Sequence, residues 1–421
     1  MLTILGVVLA LLGQIMLSRA LGTEHFGRYA IALGWSMVLV TPATAGMDFT
    51  LLRFAPVYMA DGQLGRLAAL LNFAVSVMAA TAAGAAIFFL ILSYQAPSSL
   101  GTSTASGVAS IIALTAATAF ANALSAVFRA NKRIVLSQLY TAIVRPVLFL
   151  GMLGLVLATV LPLDGDTALA LTAASAVVAL FLLFGHVRGS YMTHCAEPVQ
   201  PALIRDWMLM SGPMLLNASI QQLLTQSNVL YLGTLSTPAQ AGHFAVASRL
   251  ATLVLLGMSA LASITSPMIV SAWHAGDTMA LQRIALTNAR VAGAFAIAAT
   301  AFFLIFGELV LSAFGKGFDQ AWWPLMIMLS GGLAIALVGS TAAQFLTMTG
   351  QQTPVLVIMV LSLILHVVLS LSLIPGFGAV GAAAASAAAT TASVAAMAWR
   401  VRSTLRIDTT LFGAAASVQT A

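Results

Sequence analysis

The chain has 421 residues, 61% of them hydrophobic and only 7% charged, with a formal net charge of +6. A water-soluble domain needs a polar exterior that this composition cannot supply, which excludes soluble enzymes and soluble binding modules. A bilayer removes that need, since a helix of about 20 apolar residues spans ~30 Å of hydrocarbon.

Punctuation by charge, Pro and Gly predicts an all-α, polytopic membrane protein of about 12 transmembrane helices. They fall at 2–20, 29–51, 66–94, 105–128, 136–160, 167–188, 206–232, 243–270, 282–312, 322–347, 354–374 and 378–401. No basic residue precedes Arg19, so the first helix reads as a span and not as a cleaved signal. The longest linker, about 189–205, holds His194, Cys195, Glu197, Pro198 and Pro201. It splits the chain into two sets of six helices, 1–194 and 195–421.

Basic residues give the orientation. Thirteen fall on one side (Arg53, Arg66, Arg129, Lys132, Arg133, Arg145, Arg188, Arg205, Arg283, Arg290, Arg400, Arg402, Arg406) and four on the other (Arg19, Arg28, Arg249, Lys316). By the positive-inside rule both termini are expected in the cytoplasm. The net charge is then a topology label, and nucleic acid is not an expected partner. Trp207, Trp273, Trp399, Trp322 and Trp323 fall at helix ends, as an interfacial belt would.

The halves repeat. Gly27-Arg28-Tyr29-Ala30-Ile31-Ala32 aligns with Gly242-His243-Phe244-Ala245-Val246-Ala247 at an offset of 215. Ala60-Asp61-Gly62 aligns with Ala275-Gly276-Asp277, and Leu161-Pro162 with Ile374-Pro375. An even number of helices per half makes the repeat parallel, with its axis along the membrane normal. Two pseudo-symmetric six-helix lobes can rock about a central cleft, which is a transporter architecture.

Motifs for bond-breaking chemistry are missing. There is no nucleotide-binding Gly-rich loop, and Gly315-Lys316-Gly317 is an outer turn. No metal-ligand spacing occurs, and the single cysteine, Cys195, excludes a disulfide framework. No metal and no cofactor are expected. Asp164-Gly165-Asp166 resembles an acid pair, but it lies on the predicted outer side and reads as a solvated turn.

The seventh helix is the informative one. Asn217, Gln221, Thr225 and Asn228 share one face at spacings of four, four and three, widened by Gln222 and Gln226. Gln14 and Ser18 are four apart on its repeat counterpart, the first helix. Amides can be helix–helix glue at ~0.6 kcal/mol each, or they can line a wet cavity; a stripe this long favours the cavity. Charges inside the membrane cost roughly 2.5–3.5 kcal/mol on insertion scales and usually face a pathway. Arg53 and Arg249 read as cavity residues, while Arg290 and Arg19 read as snorkelling to the interface. Arg145, ahead of Pro146, stays open between the two. Asp48 is either a coupling carboxylate or the ion-pair partner of Arg53. His366 reads as a packing residue. Deep basic residues outnumber the one deep acid, Asp48, and a cationic cleft suits phosphate or another anionic group.

Three stretches carry a family resemblance. They are Ala20-Leu21-Gly22-Thr23-Glu24-His25-Phe26-Gly27-Arg28-Tyr29-Ala30, then Gly46-Met47-Asp48 and Arg53-Phe54-Ala55-Pro56-Val57-Tyr58. With Ile374-Pro375-Gly376-Phe377-Gly378-Ala379-Val380-Gly381-Ala382-Ala383 near the end, the chain resembles bacterial polysaccharide-biosynthesis flippases. These share a superfamily with multidrug and toxin exporters and the peptidoglycan-precursor flippase. The resemblance implies a V-shaped bundle with the first, second, seventh and eighth helices lining the cleft. It implies a polyprenyl-diphosphate-linked oligosaccharide moved from the inner to the outer leaflet of the bacterial inner membrane by alternating access. Membrane lipids, a polysaccharide polymerase and glycosyltransferases are the implied partners. Arg53, Arg249, Asn217, Gln221, Asn228 and Gln14 are then the expected substrate contacts, and Asp48 the expected coupling residue. Arg145 and Arg290 lie on helices that the resemblance does not place in the cleft. The alternative is an ion-coupled exporter of organic cations, which would want more cavity acids than Asp48. A membrane-bound glycosyltransferase or polymerase would want a larger outer loop than any present.

Overall fold

The computed structural model describes residues 2–102, 104–159, 163–191 and 201–411. Leu161, Pro162, His194, Cys195, Glu197, Pro198 and the expected 194/195 boundary lie outside the described residues. The chain forms two compact units, Met1–Thr234 and Leu235–Ala421. The first contains α1 (Leu2–Thr44), α2 (Met47–Ala60), α3 (Leu64–Gln95), α4 (Ala105–Ala130) and α5 (Ile134–Gln138). A π-helical segment (Leu139–Val144), α6 (Arg145–Ala158), α7 (Gly165–Tyr191) and nearly all of α8 (Pro201–Leu235) complete it. The second contains α9 (Pro238–His274), α10 (Thr278–Ser312), α11 (Trp322–Val338), α12 (Ala342–Met348) and α13 (Gln352–Leu405). No strand occurs among the described residues.

Eight of these segments are long and apolar enough to cross a membrane. Two of them are double-length and bend at a glycine, α1 at Gly22 (φ 71°) and α13 at Gly378 (φ 54°). Each bend therefore separates two spans, near where the sequence reading ends one helix and starts the next. At the second bend the Ala379 amide donates to Gln240 Oε1 at 3.0 Å, which satisfies a donor that the broken helix frees. The more polar α8 and α9 have spanning length as well. The protein is an all-helical, multi-pass membrane protein.

Three helices depart from the sequence expectation. The helix expected at 29–51 stops at Thr44, because Pro42 offers no amide to the ladder and Ala45 and Gly46 both adopt left-handed φ (52° and 70°). Asp48 and Arg53 thus belong to a separate helix, α2. The helix expected at 322–347 breaks at Gly339 (φ 152°). Residues following α13 return there, with Thr409 beside Gly339 and the Asp408 amide donating to Gln282 Oε1 at 2.8 Å. The helix expected at 136–160 widens to π-helix just ahead of Arg145, since Pro146 can neither donate to residue 142 nor fit against its carbonyl in a regular turn.

The repeat is visible in the turns. After α2 the Gln63 amide donates to the Tyr58 carbonyl (2.8 Å) around Gly62 at φ 68°. The same six-residue closure follows α4 around Lys132, follows α9 around Gly276 and follows α12 around Gly350. All four are Schellman endings, two in each unit. They pair Gly62 with Gly276, one residue away from the register read from Ala60-Asp61-Gly62.

In the first unit α4 is the hub, packing on α1, α2, α3 and most extensively on α7. Trp207 departs from its expected place in an interfacial belt. It is 1% exposed, its indole donates to the Tyr58 hydroxyl at 3.2 Å, and its ring lies 5.3 Å from that of Phe73. The start of α8 is thereby tied to α2 and α3. Trp273, Trp323 and Trp399 are exposed, as a belt requires.

Candidate functional site

The Ala45-Gly46 joint aims α2 so that Asp48 stands in its first turn, where a carboxylate complements the helix dipole. Asp48 lines a cavity of about 110 Å³ with Thr41 and Thr44 of α1, Asn122 of α4, and Leu215 and Ala218 of α8. It does not pair with Arg53, the option that the sequence reading left open. Five residues along a helix turn a side chain by roughly 140°, onto a different face. Arg53 is exposed; its guanidinium donates to Met210 Sδ at 3.2 Å and lies 5.9 Å from the Phe54 ring centroid. A thioether is a weak acceptor, so most of this group's donor capacity is left for water or a ligand.

The amide stripe of α8 divides. Asn217, Gln221 and Thr225 are exposed, and the Thr225 hydroxyl donates to the Gln221 carbonyl at 2.8 Å. Asn228 is 2% exposed, and its chain neighbours Val229 and Leu230 meet Gly34 of α1. The exposed end of the stripe can meet a solute, and the Asn228 end is buried. Gln14 is partly buried on α1, beside the contact of Gly13 with Phe149.

Arg249 belongs to the second unit and is partly buried. Because α9 begins at Pro238 and not near residue 243, Arg249 lies about 17 Å along the helix, farther from its start than the sequence reading has it. Arg290 and Arg19 are exposed, as snorkelling requires. His366 is 2% exposed within α13.

The acids Asp164 and Asp166 are absorbed by local structure. Asp164 Oδ1 accepts from the Thr167 amide at 2.8 Å, and Asp166 accepts from the Thr104 hydroxyl. The Thr167 amide bond is also what holds the Asp164 carboxyl below the usual carboxylate range. Asp164 caps α7 and Asp166 braces the turn before α4. Arg28 pairs with Glu24 at 2.9 Å, an exposed i, i+4 contact of small energetic weight.

Sequence reasoning found α4 as a helix but missed its polar face. Thr115, Thr118, Asn122 and Ser125 recur at three, four and three residues along it, a face as regular as that of α8. Thr115 donates to the Ser36 hydroxyl at 3.1 Å, and Asn122 joins the cavity of Asp48. Reading polar periodicity in every span, and not only where amides cluster, would have found it.

A helical membrane bundle whose turns repeat in two units, with a carboxylate cavity and exposed amides and arginines on the helices around it, has the form of a solute carrier. Its fold is that of multidrug and lipid-precursor transporters. An inward-facing multidrug resistance MATE family transporter of the MOP superfamily aligns with TM-score 0.78 at 16% identity, covering 95% of both chains. The lipid II flippase MurJ in an inward closed conformation aligns with TM-score 0.71 at 12% identity, covering 95% of this chain and 86% of that one. No curated protein sequence matches. The polysaccharide biosynthesis protein family model matches residues 1–273, and the chain belongs to that family.

Proposed function

We propose that this protein is a flippase that carries a polyprenyl-diphosphate-linked oligosaccharide from the inner to the outer leaflet of the bacterial inner membrane. The observation that carries this reading is the family match over 1–273, which contains every proposed substrate contact. Arg53 and Arg249 neutralise diphosphate or acidic-sugar charge, as guanidinium forks do. Asn217, Gln221, Asn228 and Gln14 hydrogen-bond sugar hydroxyls. Asp48 couples transport to an ion gradient. The six-helix sets, 1–194 and 195–421, are the bodies that move in alternating access, with both termini cytoplasmic. A polymerase and glycosyltransferases work on either side of the step. The protein breaks no bond and is not an enzyme.

A second reading, an exporter of organic cations, draws on the fold shared with the MATE transporter and on the carboxylate cavity. One carboxylate against several arginines makes it the weaker reading. Deleting the gene separates the two. The flippase reading expects surface polysaccharide to fall to a few per cent of wild type, with lipid-linked oligosaccharide accumulating on the cytoplasmic face. Normal polysaccharide together with new sensitivity to cationic dyes would favour the exporter.

A further inference from the structure

A second cavity, of about 40 Å³, lies within the first unit among α4, the π-helical segment, α6 and α7. It has room for a few water-sized particles and none for a sugar diphosphate. Its polar lining is Arg145, Asn122, Thr118, Thr141 and Tyr140, the rest is alanine, and no carboxylate contributes. Arg145 makes no hydrogen bond and no ion pair with any described residue. Thr118 is 8% exposed, and its Oγ1 has no partner among the described residues.

These features are not those of a packing defect. A guanidinium in a membrane-spanning segment is normally paired or set in a wet cavity that serves function. Here it comes with hydroxyls on two sides and a carboxamide, each able to donate a hydrogen bond. The π-helical turn ahead of Pro146 places Thr141 and Tyr140 on the same cavity as Arg145. The Tyr140 hydroxyl lies 3.0 Å from His186 Nδ1, which fixes the ring. One uncompensated cation surrounded by convergent donors is the complement of an anion.

We propose that this cavity binds a small inorganic anion, of chloride or phosphate size, on Arg145, with Thr118, Asn122 and Thr141 as further donors. The proposal uses neither Arg53 nor Arg249, so it stands or falls apart from the flippase reading. Asn122 lines this cavity and that of Asp48, so the bound anion and the carboxylate share one neighbour.

The test is thermal unfolding of the purified full chain in lipid nanodiscs. Sodium chloride, or in a second arm sodium phosphate, replaces sodium gluconate at constant ionic strength. A ligand of the native state raises the midpoint saturably. The expected result is saturation with at least one of the two anions, and the arm that saturates identifies which. Arg145→Gln should weaken that anion at least tenfold and Thr118→Val severalfold, while Lys316→Gln, on an outer turn, leaves the titration unchanged. No saturable rise with either anion in the wild type, or superimposable titrations of wild type and Arg145→Gln, would overturn the proposal. If Arg145→Gln does not fold, Thr118→Val decides, and an unchanged affinity in that variant overturns it.

Discussion

Replacing Gly46 by Val is expected to destabilise the protein by about 3 kcal/mol or more and to abolish its function. The first cost is conformational. A left-handed residue without a glycine's freedom loses roughly 1–2 kcal/mol, and a β-branched side chain more. Gly46 holds φ 70° directly after Ala45 at φ 52°, so neither neighbour can take up the strain. The second cost is steric. A Cβ at Gly46 would stand 2.6 Å from the Ser211 carbonyl oxygen of α8, a contact with rigid backbone. Relief requires α2 and α8 to separate, which opens the Trp207–Tyr58 hydrogen bond and turns Asp48 away from Thr44 and Asn122. Gly84→Ala is the control, because a Cβ there meets nothing within 4 Å and alanine is the better helix former. Detergent-solubilised protein followed by thermal unfolding measures both. Equal midpoints for Gly46→Val and wild type would show that the joint does not hold α2 in place.

The second large effect is expected at Arg249. Arg249→Ala should reduce complementation of a deletion strain at least tenfold in surface polysaccharide while protein levels stay within twofold of wild type. Arg249→Lys should restore part of it, because an ammonium keeps the charge but loses the bidentate fork that recognises phosphate. Arg249 stands well inside α9 and is partly buried, where a charge is costly to keep without a purpose. A merely packing arginine would show the reverse pattern: lower protein levels with Ala, and transport in proportion to the protein that remains. Full complementation by Arg249→Ala removes this residue from the site.

Much of the fold was legible because membrane helices announce themselves by length and hydropathy. Charge placed the linkers, and Gly22 and Gly378 marked bends close to where the helix boundaries fell. What stayed hidden was local geometry inside the spans. Pro42 and Gly46 end a helix that hydropathy alone carries on to residue 51, and Pro146 turns a regular helix into a π-helical one. Neither event changes the apolar content of the segment. At the candidate site the residue types were readable, but their surroundings were not. Asp48 and Arg53 are close in sequence and on different faces of α2. Asn228 continues the α8 stripe and yet is buried, which its spacing alone does not reveal. Trp207 looked interfacial from its place at a helix end, but it is buried with its indole on the Tyr58 hydroxyl. The face of α4 escaped notice because threonine is apolar enough to pass as membrane filling, and only the cavities show which hydroxyls matter.

The central claim is the nature of the cargo, and reconstitution tests it most directly. Purified protein in liposomes is given a labelled polyprenyl-diphosphate oligosaccharide in both leaflets, and a lectin or glycosidase outside reports the fraction within reach. Flippase activity predicts that this fraction rises from about half toward completion at a rate that scales with protein per vesicle and falls at least tenfold with Arg249→Ala. A fraction that stays at the protein-free level in active vesicles that take up a cationic dye would contradict the account.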